Sequence, residues 1–250
     1  MARASREKSR PSIFWLLASI VVPLYGWFAR IRIVGGEKLP RDGAYVMAPN
    51  HHSEIDPLTL AVSVWRLGRA PRFLAKESLF RVPVLGAALR ATKMIPVARG
   101  GRGADALKQA EILVENRTGV IVYPEGTLTR EPDLWPMRGK SGAVRIAMAG
   151  GLPVIPVAHW GEQQILPRYG KLRFFPPRRR VSVLIGDPID LSDLRPGGDR
   201  DPKAERAAYD AATERVMLAI TELLEQVRGE KAPAELWDPT THGQNETGRL

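Results

Sequence analysis

Apolar positions set out the elements of this chain. From Ile13 to Phe28 the sequence carries no charge, and Arg10 and Arg30 close the run on either side. It is slightly short for a bilayer span, which needs roughly 20 apolar residues, and Pro23 and Gly26 weaken a helix in its second half. Ile31, Ile33 and Val34 then predict a strand ended by Gly35-Gly36. Ala44 to Ala48 is an unbroken apolar run of strand length, and Ile55 to Leu67 has helical spacing at Leu58, Ala61, Val62 and Trp65. Pro71 to Ala75 and Met94 to Val97 predict short strands, with a mostly apolar helix from Leu79 to Leu89 between them. Ala104 to Arg117 has helical period, and Gly119 to Tyr123 predicts a buried strand. A helix over Gly142 to Ala149 ends at Gly150-Gly151, and Pro153 to Val157 is again strand. Leu172 to Phe175 and Val181 to Ile185 suggest a closing antiparallel pair, and Lys203 to Val227 a long amphipathic helix. Strands alternating with helices predict an α/β fold: one sandwich domain with a mostly parallel central sheet flanked by helices. The expected organisation is a basic N-terminus and membrane-associated helical segment over 1–30, a domain over 31–228 and a polar, mobile tail over 229–250.

Charge sharpens this picture. The chain has 250 residues, a formal net charge of +10 and no cysteine. Disulfides and thiolate chemistry are excluded, and structural zinc loses its usual ligands. So basic a chain seeks anionic partners, either nucleic acid or anionic lipid. No nucleic-acid-binding signature stands out. The 13–28 segment favours lipid: Trp15, Tyr25, Trp27 and Phe28 sit near its ends, where interfacial aromatics collect. It lacks the small-x-small site of a signal peptide. The expectation is an anchor on the cytoplasmic face of a membrane, held by flanking arginines on anionic headgroups.

The chemistry centres on Asn50-His51-His52-Ser53-Glu54-Ile55-Asp56, between a strand and a helix. That spacing can set the His51 imidazole beside the Asp56 carboxylate. The acid then holds one ring nitrogen as N–H, and the other takes a proton from a hydroxyl. This is a serine-protease triad without its serine, so the hydroxyl comes from substrate. The bland alternative is that Asp56 merely caps the helix at Pro57. Glu125-Gly126-Thr127 follows a buried strand, where α/β sheets bind ligands. Arg99 and Arg102 flank glycines before a helix and make an anion site in principle, with Arg130, Arg138 and Lys140 as further cations. Gly139-Lys140-Ser141 ends like a P-loop, but Leu134 stands where its first glycine belongs. Gly101-x-Gly103-x-x-Ala106 loosely fits a dinucleotide fingerprint, which makes a nucleotide-binding oxidoreductase the rival class. No metal site is expected, because the adjacent His51, His52, Glu54 and Asp56 seldom point at one ion.

Taken in order, these pieces resemble the glycerolipid acyltransferases, in particular the bacterial 1-acylglycerol-3-phosphate acyltransferases. Asn50, His51 and Asp56 match Asn-His-x4-Asp; Ile95 to Arg99 looks like the strand and arginine of the second motif; Tyr123 to Thr127 matches Phe-Pro-Glu-Gly-Thr; Leu152 to Val157 is similar to the apolar fourth motif. Lys140-Ser141-Gly142-Ala143 resembles Lys-x-Gly-Ala. The likeness covers roughly residues 30 to 190 and departs at Leu128, where the family usually carries arginine. It implies that His51 is general base and Asp56 its orienter. Arg99, Arg130 and Lys140 would hold the substrate phosphate, and Glu125, Gly126 and Thr127 would position substrate. The implied reaction moves an acyl group from acyl-CoA or acyl carrier protein to a membrane lipid acceptor, with no metal or redox cofactor and no nucleic acid. The acceptor is expected to be 1-acylglycerol 3-phosphate, the alternatives being glycerol 3-phosphate or a glycolipid. Glu125 is expected to hydrogen-bond a substrate hydroxyl or to organise the arginines, and backbone N–H groups near Glu125 or His51 to stabilise the oxyanion. A non-catalytic basic membrane-surface protein is the remaining reading.

Overall fold

The computed structural model describes residues 7–8, 12–97, 103–195 and 201–245. Among the described residues seven strands and six α-helices follow one another. They are α1 (Ile13–Phe28), β1 (Ala29–Val34), β2 (Tyr45–Pro49), α2 (Asp56–Arg66), β3 (Leu74–Lys76), α3 (Pro83–Ala91), β4 (Ile95–Val97), α4 (Gly103–Asn116), β5 (Gly119–Ile121), α5 (Gly142–Gly150), β6 (Val154–Trp160), β7 (Arg179–Ile185) and α6 (Pro202–Arg228). The main sheet runs β1-β7-β6-β2-β5, and β3 and β4 form a parallel pair of their own. All main-sheet neighbours are parallel except β6 and β7. A bridge from Phe73 to Ile121 sets the chain entering β3 beside β5.

Two apolar faces on each central strand explain why these segments read as unbroken runs. Val46 and Ala48 of β2, Val120 of β5 and Val154 of β6 pack with Leu113 of α4, Ile146 of α5 and Met217 and Ile220 of α6. The residues between them, Tyr45, Met47, Ile121, Ile155 and Val157, point the other way onto Leu60 and Val64 of α2. The sheet is thus sandwiched, and its parity places His159, two and four residues after Val157 and Ile155, on the α2 face. In α6, Ala212, Val216, Ile220 and Leu224 repeat every four residues and are all buried. Asp201 caps that helix by accepting from Lys203 N–H, and Gly229 ends it at φ +69°.

Two expectations fail. Leu172 to Phe175 forms no strand; β7 pairs instead with β6 on one side and β1 on the other. Pro176 and Pro177 have no N–H to offer a ladder, and Phe174 and Phe175 lie exposed. The segment from Gly229, expected to be mobile, packs on the domain at Leu236, Trp237 and the buried Pro239. Trp237 O accepts from Arg138 N–H at 2.8 Å, Leu236 joins the core, and the Trp237 and His242 rings stack with centroids 3.5 Å apart.

Candidate active site

Three adjacent strands deliver the site at their carboxyl ends, where open α/β sheets bind ligands. β2 leads into His51, β5 into Glu125, and β6 carries His159 near its end. Asn50 fastens β2 to β6 beyond their ladder: its Oδ1 accepts from His159 N–H at 2.9 Å and its Nδ2 donates to His159 O at 3.1 Å.

His51 Nδ1 lies 3.0 Å from Asp56 Oδ2. The same oxygen accepts from the N–H groups of His52 at 2.7 Å and Ser53 at 2.8 Å. Asp56 therefore does more than cap α2, of which it is the first residue. Its carboxylate draws the preceding loop around itself and makes the His51 ring an Nδ1–H donor, leaving Nε2 as the lone-pair nitrogen. Tyr123 stacks on the imidazole with centroids 3.9 Å apart and planes at 22°. The acid is fully buried and the histidine side chain is 16 % exposed, so the pair is fixed from within and reachable from outside.

Glu125 is sealed, and its oxygens are spent on backbone. Oε1 accepts from His51 N–H at 2.8 Å and Oε2 from Met137 N–H at 3.1 Å. Through these two bonds it ties the His51 loop to the segment before α5. Burial pushes its carboxyl up to about 8, against the opposing pull of these hydrogen bonds. Gly126 turns at φ +71°, a conformation that suits glycine, with its N–H on Tyr123 O; Lys140 lies against it. Thr127 is half-buried beside it. The N–H groups of His51, His52, Ser53 and Gly126 all have partners within the protein, which removes them from the expected set of oxyanion donors.

Of the expected cations, Arg138 and Lys140 meet at one cavity. Arg99, Arg102 and the start of the glycine fingerprint at Gly101 lie outside the described residues. Arg130 is buried, 1 % exposed, and Leu128 beside it faces the interior. Lys140 lines a cavity of about 540 Å³ with Glu125, Arg138, Arg145, Arg206 and Tyr209. Two of those arginines have engagements there, Arg138 with Asp238 at 3.0 Å and Arg145 over the Tyr209 ring at 4.7 Å.

Sequence reasoning missed a second layer. His52, Asp56, His159 and Glu162 are fully buried, with one nitrogen or oxygen from each lying within 4.8 Å of the others. A metal would need ring lone pairs here. His52 Nδ1 receives Asn50 Nδ2 at 3.1 Å, so in the neutral ring the proton occupies Nε2, which points at Glu162 Oε2 3.4 Å away. The only clue in the sequence was polar residues in an otherwise apolar β6 and the turn after it.

A base–acid pair at the end of a parallel sheet, with the third member of a triad missing, defines an enzyme that activates a substrate's own hydroxyl. Residues 30–160 match the Acyltransferase family. The chain belongs to that family. It is 32% identical over 193 residues, 77% of its length and 87% of the relative's, to a protein of Bacillus subtilis named 1-acyl-sn-glycerol-3-phosphate acyltransferase. A chloroplastic protein of the same name from Brassica napus is 34% identical over 166 residues, 65% of this chain and 45% of the relative's length. The crystal structure of the acyltransferase PlsC from Thermotoga maritima superposes with a TM-score of 0.56 over 88% of this chain and 82% of that one, at 22% identity, and so shares the fold.

Proposed function

We propose that this protein moves a fatty acyl group from a thioester donor to the free hydroxyl of 1-acylglycerol 3-phosphate, giving phosphatidate. The observation that carries this reading is the His51–Asp56 contact with Nε2 left to accept a proton. His51 Nε2 takes the hydroxyl proton as the oxygen attacks the thioester carbonyl. Asp56 keeps the tautomer and steadies the imidazolium. The tetrahedral adduct collapses, expelling the donor's thiolate, which takes the proton from His51. The donor is acyl-CoA or acyl carrier protein; the cycle uses no redox cofactor. Lys140 at the cavity wall and Arg99, outside the described residues, are assigned to the acceptor's phosphate, with Arg130 adding charge from the interior.

The lipid acceptor has a fitting approach. Trp15, Leu16, Ile20, Leu24 and Trp27 of α1 are exposed, and Phe28 touches the exposed Phe174 with ring centroids 5.8 Å apart. Arg30 and Arg180 sit opposite one another on β1 and β7 beside this apolar surface. No described helix is long and apolar enough to cross a membrane. An apolar ridge flanked by arginines suits a bilayer's anionic surface, contacted from one side.

Purified wild type and His51→Ala, assayed for product mass with acyl-CoA and acyl carrier protein donors against 1-acylglycerol 3-phosphate, glycerol 3-phosphate and a glycolipid, test the reading. Loss of base function is expected to cost on the order of 10³-fold or more in kcat, since base and orienter act as a unit. Equal rates for the two proteins would end the proposal.

A further inference from the structure

Asp56 faces a second imidazole that the acyl-transfer step does not use. Its Oδ2 takes His51; its Oδ1 lies 4.0 Å from His159 Nδ1 and has no hydrogen-bond partner. The hydrogen bonds settle which atoms carry protons. His159 Nε2 lies 2.8 Å from Asn50 O, a carbonyl that only accepts, so Nε2 bears a hydrogen. His159 Nδ1 then faces Glu162 Oε1 at 3.0 Å. The contact is an ion-pair distance without hydrogen-bond alignment, and two lone pairs repel so closely in a sealed pocket that one of the two groups carries a further proton. A neutral carboxylic acid could supply it, but Glu162 Oε2 also lies 3.4 Å from His52 Nε2, a contact not aligned as a hydrogen bond that still favours the ionised carboxylate. The arrangement is a His159 imidazolium held by a Glu162 carboxylate. Burial alone would push His159 down, but Glu162 and Asp56 outweigh it and hold the ring up at about 9. Burial likewise works against the Glu162 carboxylate, yet the His159 charge keeps it well below its ordinary range.

We propose that His159 is a positioning residue of the acyl-transfer centre: a buried cation, fixed by Glu162, that faces the Asp56 oxygen turned away from His51 and so sets the pH range in which His51 is free to act as base. The inference rests on the acyltransferase reading of His51. Asp56 is one carboxylate between two imidazoles. The His159 charge draws on it from behind and limits how strongly it holds a proton on His51 at rest. Without that charge, two buried carboxylates would face His51, and it would stay protonated to higher pH. The other titratable groups around the pair are His52 from the same loop, Tyr25 from α1, Tyr123 after β5 and Glu125. His52 takes Asn50 Nδ2 on its Nδ1 and turns Nε2 toward Glu162. Burial raises both phenols, which stay uncharged, and raises Glu125 to about 8, which keeps it mostly protonated at neutral pH.

The test is the pH dependence of kcat/KM for wild type, His159→Gln, Glu162→Gln and the double variant, with a short-chain acceptor soluble without detergent. In His159→Gln the acidic limb is expected to move to higher pH by about one unit, so that activity below the limb falls about tenfold while the alkaline plateau changes far less. The double variant restores the pair's zero net charge and is expected to bring the limb back toward its wild-type position. A purely structural role would lower the plateau at every pH and leave the limb in place, which overturns the proposal. Should these variants fail to fold, nitrogen-15 NMR of histidine-labelled wild type decides: both ring nitrogens of one buried histidine are expected to carry protons at pH 8, and four neutral rings there would refute the imidazolium. A wild type with no acyl-transfer activity defeats the functional reading instead, and the NMR result stands apart from it.

Discussion

Glu125 holds the His51 loop in place through backbone alone, and its burial makes that hold pH-sensitive. Its carboxyl is raised from an ordinary 4.5 to about 8 in the folded chain. The folded state therefore keeps a proton that the unfolded chain gives up, and the stability it contributes below pH 4.5 is lost as pH rises to 8. Glu125→Gln removes that dependence. Its amide still offers one acceptor, but its NH₂ meets a backbone N–H, a cost of about 1–3 kcal/mol. Denaturant unfolding across pH is expected to show the variant less stable near pH 4.5 and the deficit shrinking, or reversing, by pH 8; kcat should fall about 10- to 100-fold as the His51 backbone loses its anchor. A constant difference between the two proteins across that range would contradict the account. At this scale the sequence was legible where contacts are local. His51 and Asp56 are five residues apart, and one turn brings them together. Glu125 was visible as a residue after a strand, but its bond to His51 crosses between strands 74 residues apart, and no spacing encodes that. His159 and Glu162 stayed unread because a histidine in a buried strand looks like a core residue until its neighbours are known. Arg130 was read as a cation for the substrate phosphate, and the chain turns it inward.

Among the elements, β2 and β5 show how closely a buried ring can cross the neighbouring strand's backbone. Gly119 pairs with Tyr45, and a Cβ on Gly119 would lie 2.0 Å from the Tyr45 ring. Tyr45 cannot yield: it is 1 % exposed, with the Arg69 guanidinium 4.9 Å from its centroid. Gly119→Ala is therefore expected to destabilise by about 1–3 kcal/mol or more through overpacking, with a matching drop in thermal midpoint. An unchanged midpoint would mean that the ring has room to move. α1 carries the opposite property, an apolar face with no cover. Leu16→Glu with Ile20→Glu should abolish flotation with vesicles containing anionic lipid, while turnover of a soluble short-chain acceptor stays within a few-fold, since neither side chain is buried. The α1 boundaries, Ile13 to Phe28, were legible because an uncharged run between arginines has sharp ends. Leu172 to Phe175 was misread because an apolar cluster without partners resembles a strand in composition. The segment after Gly229 was misread because proline and glycine signal a loop, yet Leu236 and Trp237 are enough to bind that loop to the domain.

Across the whole molecule, the sandwich followed from strands apolar on both faces, but the insertion of β7 between β1 and β6 did not, because it joins segments far apart in sequence. That insertion matters to stability through what it encloses: the turn after β6 carries Glu162, and the buried His159–Glu162 pair couples the centre of the fold to pH. The sign differs for its two members. His159 is raised from 6.5 to about 9, so its share of the stability is complete below 6.5 and is lost as pH climbs through 9. Glu162 is lowered from 4.5, so its share is complete above 4.5 and is lost as pH falls through its depressed value. The pair thus stabilises fully only between about pH 4.5 and 6.5, and Glu125 erodes stability across the same interval and on to 8. The thermal midpoint is therefore expected to decline from mildly acidic toward alkaline pH. In Glu162→Gln the alkaline decline should flatten, because His159 no longer gains a carboxylate partner on folding, and the midpoint should be lower throughout. Thermal scans from pH 4 to 10 on both proteins check this; an alkaline decline as steep in the variant as in wild type would assign it to groups other than His159.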